Sequence, residues 1–318
     1  MILAVAFLFD LLVGDPVYPF HPIRLMGRAI ERTEVFFRKL IRHEKIAGAM
    51  LAFSFPLFVF VAVWSLIFLL GKIHPWLAWV FNLFGIYSAL SVHDLKKEGF
   101  RIHKDLKQEN LEEARRNLAR IVGRDVETFD RNEILRASIE TIGESTLDGV
   151  VAPLLYAAIG GAPLALTYKA INTLDSMVGH LSERYRYFGW MAAKQDELWN
   201  WIPARLSYFA VAFAVPFVKM RFKEALSVGW CDGMVRPYGN GSVPEAVFAG
   251  ALGVRLGGTN FYEGHAVNKP VLGFRERSFE VEDLEASLKL MMAASWIALC
   301  GSLIINSLVK GVHLWGTI

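Results

Sequence analysis

Long apolar runs alternating with dense polar stretches set the plan of this chain. Residues 1–13 are apolar, but at ~1.5 Å per residue they cover only part of a hydrocarbon core of ~30 Å, which predicts a partial or tilted span. The Gly- and Pro-rich stretch GDPVYPFHPIRLMG predicts no regular helix. It leads into an amphipathic segment carrying Arg24, Arg28, Arg32, Arg38, Lys39, Arg42 and Lys45. Residues 47–70 predict a span broken only by Pro56, and 76–92 a return span after the GKIHP turn. Residues 93–139 turn charged and helix-favouring, with Leu111, Ala114, Leu118 and Ile121 as an apolar stripe. They are expected to form a helical insert in the cytosol. Two basic loops on one side agree with the positive-inside rule and put the N-terminus outside.

Residues 140–205 mix membrane-grade apolar runs with closely spaced acids, amides and bases. Glu140, Glu144 and Asp148 recur every four residues, so a helix places them along one stripe. Lys169, Asn172, Thr173 and Ser176 share another face. Between the two groups, GGAP (Gly160 to Pro163) breaks the helix and predicts a hairpin with Asp148 and Asp175 level. Residues 201–218 are apolar but end in KMRFK, which conflicts with a clean crossing and predicts a re-entrant or surface-lying segment broken near Pro216. Residues 219–287 are expected to be a Gly- and Pro-rich cytosolic loop region, and 288–309 a last span. The whole chain, 1–318, reads as a single membrane domain: an all-α, polytopic integral membrane protein with cytosolic amphipathic helices and a broken helical hairpin.

Composition fits that picture. Of 318 residues 54% are hydrophobic and 20% charged, with a mean hydropathy of +0.34. A net charge of +3 argues against a nucleic-acid binder. Cys231 and Cys300 stand far apart, which argues against a disulfide framework or a cysteine-type zinc site. The N-terminus lacks a basic leader and a small-residue cleavage site, so no cleaved signal is expected.

Ionisable residues beside membrane helices are costly and need partners or ions. The stripe Glu140, Glu144 and Asp148 suits a hard cation such as magnesium, although a solvated helix N-terminus explains acids there too. Lys169 closes an apolar run, where snorkelling competes with a functional role. Arg184, Arg186, Lys194 and Arg205 suit phosphate or carboxylate contacts, and equally the positive-inside bias. Asp196, Glu197 and Asn200 form a second compact polar group, with Trp190, Trp199 and Trp201 around it as interfacial anchors. His21 sits in the FHP turn, whereas His43, His74, His93 and His103 lack ligand spacing and are expected on the surface. No GxxxxGK[ST] phosphate loop occurs.

Several segments resemble the adenosylcobinamide-phosphate synthase family, CobD/CbiB, of cobalamin biosynthesis. They are GDPxxxxxHPIRLMG, ESTLDGVVAPLLY, GGAPLALTYKAINTLDSMVGH, RYxxFG, NWIPARL and PEAVFAGALGVRLGG, followed by Tyr262, Gly264 and KPVLG. The resemblance covers most of the chain from Asp10 to Gly273. One loop departs from it: where the family carries a run like HPSPNAGxPEA, this chain has RPYGNGSVPEA, keeping Asn240, Pro244 and Glu245.

The resemblance implies an enzyme that joins a propionate carboxylate of adenosylcobyric acid to the amine of an aminopropanol phosphate, using ATP and magnesium. It implies Asp148, Lys169, Asn172 and Asp175 as catalytic residues. Glu144, Asp148, Asp175 and Asp196 are the implied magnesium ligands. Arg184, Arg205, Asn200, Asn240, Glu245 and His21 are implied for substrate and phosphate. The expected setting is the plasma membrane, multi-pass, with the site facing the cytoplasm and with homo-oligomers left open. A transporter or channel with a broken-helix site, and a catalytically silent membrane relative, are the competing readings.

Overall fold

The computed structural model describes residues 1–15, 18, 20–180, 182–262, 264–274 and 277–315. In chain order the helices are α1 (Ile2–Val13), α2 (Pro22–Leu40), α3 (Glu44–Ile73), α4 (Pro75–Tyr87), α5 (Val92–Lys107) and α6 (Leu111–Leu118). They continue as α7 (Arg131–Thr146), α8 (Ala152–Val178), α9 (Trp190–Ala214), α10 (Phe222–Val228), α11 (Ser242–Leu252) and α12 (Val281–Trp315). Strands β1 (Leu256–Tyr262) and β2 (His265–Leu272) form an antiparallel hairpin with a bulge between Leu256 and Gly258. Among the described residues, 5 helical runs are long and apolar enough to cross a membrane: 44–73, 75–107, 131–178, 190–218 and 281–311. The chain is a polytopic, essentially all-α membrane protein.

Several boundaries depart from the sequence expectations. Helix α2 starts at Pro22, inside the stretch expected to lack helix, because proline at the first helical position loses only an N–H that would have no intrahelical partner. Pro56 sits inside α3 without ending it. Within the run 75–107 the helix is interrupted, since α4 ends at Tyr87 and a turn at 88–91, buried as far as Leu90, leads into α5. His103 is buried on α5, 3.8 Å from Glu285, rather than on the surface. The region 219–287 is no open loop, since it holds α10, a π-helical turn (Gly229–Val235), α11 and the β-hairpin. Its glycines serve tight backbone approaches and positive φ angles.

The chain divides into two compact units. The first comprises 1–91, 152–201 and 299–318, and the second 92–151 and 202–298. In the first, α3 packs against α8 and α4, α1 against α4, and α2 against α3 and α8. Helix α8 breaks where GGAP predicted, with non-helical angles at Gly160 and Gly161. The rings of Tyr156 and Tyr168, on opposite sides of the break, stack at 5.2 Å. Twelve positions along a straight helix span ~18 Å, so the two limbs fold back on each other. Asn82 of α4 caps the second limb, its Oδ1 accepting from Ala162 N–H at 2.7 Å.

In the second unit α5, α6 and α7 pack together, and α11 lies against α10 and α7. Ala114 and Leu118 of the expected stripe are buried, while Leu111 and Ile121 are half-buried. Asp130 and Glu133 form a reciprocal capping box that fixes the start of α7. A π-helical turn at Leu147–Val151 then winds more widely than α-helix. The four-residue stripe therefore holds for Glu140 and Glu144 and is interrupted at Asp148. Pro216 falls in a 3-10 turn, Val215–Val218, so the helix breaks there as expected.

Candidate functional site

Each unit carries a polar centre. In the first, the second limb of α8 turns Ala170, Ile171 and Leu174 inward and leaves Lys169, Asn172, Thr173 and Ser176 on its more open face. Helix α9 meets this face with Asp196 and Asn200. Asn172 Nδ2 donates to Asp196 Oδ1 at 3.4 Å, and Asn200 Nδ2 donates to Asp196 Oδ2 at 3.0 Å. Tyr168 Oη donates to the buried Asn200 Oδ1 at 3.0 Å. Behind it Tyr156 stacks on Tyr168 and donates to the Trp199 carbonyl at 2.6 Å. One carboxylate is thus held in place by two amides, one of which, Asn200, is itself fixed by Tyr168, and it keeps partial exposure. Such preorganisation suits a group that must receive a cation or an ammonium.

Asp175 stands one turn beyond Asn172 on the same helix, and its backbone carbonyl accepts from Gly179 N–H at 2.7 Å. Arg184 is engaged elsewhere. It donates to the buried Glu34 at 3.0 Å, and Glu34 also accepts from Arg38 at 2.9 Å and Tyr185 at 3.3 Å. The side chain of Arg184 stays 65% exposed, so it is open to a further anion. The neighbouring Glu34 holds its guanidinium above its ordinary range. His21 is buried at the start of α2, its Nε2 2.9 Å from Asp15 Oδ1 and its ring edge-on to Tyr18. Its contacts are internal and tie down the turn before α2.

In the second unit the N-terminus of α11 meets α7 and β2. Cβ atoms built on Gly143 and Gly241 would lie 3.2 Å from Glu245 Cα and 3.1 Å from Glu144 Cγ, so glycine at both positions lets α7 and α11 approach closely. Glu144 and the buried Glu245 are brought together at this seam. Arg205 Nη1 donates to Asn240 Oδ1 at 3.0 Å, which adds a cation and an amide next to Gly241. Burial, and then Glu144, push the Glu245 carboxyl well above its ordinary value. Burial draws the Lys269 ammonium down, but Glu245 and Glu144 outweigh it and hold it above its ordinary range.

Glu140 belongs to a deeper layer. It accepts from Arg124 Nη1 at 2.7 Å and from Gly257 N–H at 2.7 Å, and Arg124 also donates to Asn260 at 2.7 Å. Arg136 donates to the carbonyls of Gly257 and Thr259. These bonds fasten the β-hairpin to α7 and thereby place Lys269. Among the described residues no three His, Cys, Asp or Glu side chains gather as a metal cage.

The family model described as CobD/Cbib protein matches residues 3–291 of this chain. The chain belongs to the CobD/CbiB family. It is 40% identical over 310 residues to the "Cobalamin biosynthesis protein CobD" of Photorhabdus laumondii, covering 96% of this chain and 97% of that one. The protein of the same name from Clostridium perfringens is 38% identical over 308 residues, with 96% and 98% covered. The "Cobalamin biosynthesis protein CbiB" of Salmonella arizonae is 37% identical over 298 residues, covering 93% of each chain. No solved structure matches the chain.

Within this CobD/CbiB chain the expected site residues fall into two sets. Lys169, Asn172, Asp175, Asp196 and Asn200 lie in the first unit with Arg184 and His21, and Glu144, Asp148, Arg205, Asn240 and Glu245 lie in the second. The structure adds Tyr156 and Tyr168 to the first centre, and Lys269, Arg124 and Asn260 to the second, where Glu140 of the expected stripe is taken up by Arg124. Lys269 stood in the sequence within KPVLG, a segment that carried the family resemblance, but nothing local marked it as a partner of Glu245.

Proposed function

We propose that this chain catalyses ATP-dependent amide formation between adenosylcobyric acid and an aminopropanol phosphate, giving adenosylcobinamide phosphate in cobalamin biosynthesis. The observation that carries this reading is the family match over 3–291, with relatives named cobalamin biosynthesis proteins that align along almost their whole length. The reaction has fixed chemical needs. A carboxylate is a poor acyl donor, so its oxygen attacks the γ-phosphorus of ATP and forms an acyl phosphate with release of ADP. The amine then attacks that carbonyl, the C–O bond to phosphate breaks, and the amine's surplus proton passes to a base.

The residues present fit those needs. Lys169, Arg205 and the exposed face of Arg184 offer cations to phosphate groups. Asn172, Asn200 and Asn240 offer amides that orient polar substrate edges. Asp148 and Asp175 offer carboxylates that can accept the proton. Magnesium, when bound, neutralises phosphate charge and aligns the transferring group. Because this ion shares its coordination with phosphates and water, one or two carboxylates are sufficient to hold it. In the first unit Asp196, oriented by its two amides, and Asp175 are suited to that duty, and in the second unit Glu144, crowded by Glu245, and Asp148. ATP is a cytoplasmic nucleotide, so the reading puts these groups on the cytoplasmic side of the plasma membrane.

The test uses detergent-solubilised full-length protein with adenosylcobyric acid, aminopropanol phosphate, ATP and magnesium, with the corrinoid followed by mass. The expected product carries the added amide and consumes one ATP per turnover. Failure to form it across several amines and nucleotides rejects the reading.

A further inference from the structure

Lys45 and Trp190 frame the head of an open groove of about 450 Å³ that runs along α3. Its floor is Ala49, Met50, Phe53 and Leu57, which fall on one helix face. Met50, Phe53 and Leu57 are exposed although α3 is a membrane-length apolar helix, so this face is left for lipid.

The head end has a different chemistry. Trp190 Nε1 donates to the Lys45 carbonyl at 3.3 Å, which sets an indole at the mouth as in an interfacial belt. Lys45 Nζ lies 5.5 Å from the centroid of the Tyr187 ring, and the Arg186 guanidinium lies 5.9 Å from the same ring. Among the described residues neither cation is ion-paired to a carboxylate, whereas nearby Glu44 is neutralised by Arg38 at 2.8 Å. Arg42 adds a further exposed cation. A choline head would meet this charge with repulsion, and the aromatic face that could hold it is already shared by two cations. A phosphate bearing net negative charge meets attraction from both.

We propose that this groove seats one anionic phospholipid, with its phosphate on Lys45 and Arg186 and an acyl chain along Ala49, Met50, Phe53 and Leu57. The site is separate from the proposed ligase chemistry, and its test does not depend on that reaction.

Native mass spectrometry of the purified full-length protein, titrated with phosphatidylglycerol or phosphatidylcholine, tests the assignment. The wild type is expected to retain one phosphatidylglycerol with about thirtyfold preference, in line with roughly 1 kcal/mol for each of the two basic residues near an anionic surface. The double variant Lys45→Gln/Arg186→Gln should lose the preference, and Ala49→Phe, which fills the groove, should weaken retention of both lipids. Arg24→Gln/Arg28→Gln, which removes charge away from the groove, should behave as wild type. Equal retention of the two lipids by the wild type overturns the proposal without recourse to any variant. An undiminished preference in the Lys45/Arg186 variant, or retention unaffected by Ala49→Phe, also overturns it. So does displacement of the lipid by inorganic phosphate, which indicates an anion site that needs no acyl chain.

Discussion

The ring of Tyr156 stacks on that of Tyr168 with centroids 5.2 Å apart, although twelve residues and a helix break separate them. That contact records the reversal of α8 at Gly160 and Gly161, and it stands directly behind the Asn200–Asp196 pair. The hairpin therefore works as scaffold for the polar centre it carries.

The reversal depends on Gly161. Its φ of +64° lies in the left-handed region, and a Cβ there would approach Asn82 Oδ1 to 2.8 Å. Gly161→Ala is expected to cost ~1–3 kcal/mol from backbone strain alone. Asn82→Ala removes the cap on Ala162 N–H and should cost ~1–2 kcal/mol. Thermal unfolding in detergent checks both, and the double variant should lose less than the sum because both changes act on one contact. Strict additivity would mean that the cap and the turn are independent.

Arg124 and Glu140 form a buried pair at 2.7 Å, reinforced by Asn260 and Gly257 N–H. Removing one partner strands the other charge, so Arg124→Met should destabilise the second unit by ~3–5 kcal/mol. Arg124→Met/Glu140→Gln should recover part of that loss. Hydrogen exchange at β1 and β2 reports the consequence directly, because the hairpin is fastened through this pair. Unchanged protection there would contradict the role given to it.

Much of this plan was legible in the sequence, and the reasons differ by element. The spans showed because length and apolarity are local properties, and the break at 160–163 because two glycines and a proline disfavour helix whatever surrounds them. The shared face of Lys169, Asn172 and Ser176 followed from helical period. The β-hairpin was missed because its glycines read as loop, while its order comes from distant side chains, Arg124 and Arg136 on its carbonyls and amides. The seam of Glu144, Glu245 and Lys269 is likewise a meeting of three elements that no local period encodes. Asp148 was placed on a regular stripe because a π-helical turn leaves no simple mark in the residue pattern.

Asp196 is the acceptor for both Asn172 and Asn200. Under the ligase reading, Asp196→Ala should lower turnover by about 10²–10⁴-fold while leaving the unfolding temperature nearly unchanged, since the group is partly exposed. Tyr168→Phe, which frees Asn200 without touching the charge, should reduce turnover less. Product formation measured by mass separates the cases. Near-normal turnover in Asp196→Ala would remove this carboxylate from the chemistry.

Glu245 gives the protein a pH dependence of known sign. Its carboxyl is held well above its ordinary value of 4.5 by burial first and then by Glu144; Glu140 adds to the rise, and Lys269 and Arg124 oppose it. A group with a raised folded-state value binds its proton more tightly in the fold. Its stabilising contribution is complete below the ordinary glutamate range and is lost as pH climbs through the raised value. Lys269 is also held above its ordinary value, so its contribution fades only on the alkaline side. Glu245→Gln cannot ionise, and the variant should unfold at a higher temperature than wild type at about pH 8, with the difference gone by about pH 5. Unfolding profiles that run parallel across that interval would show that Glu245 is not ionised against its surroundings, and the seam would then be no source of the protein's pH response.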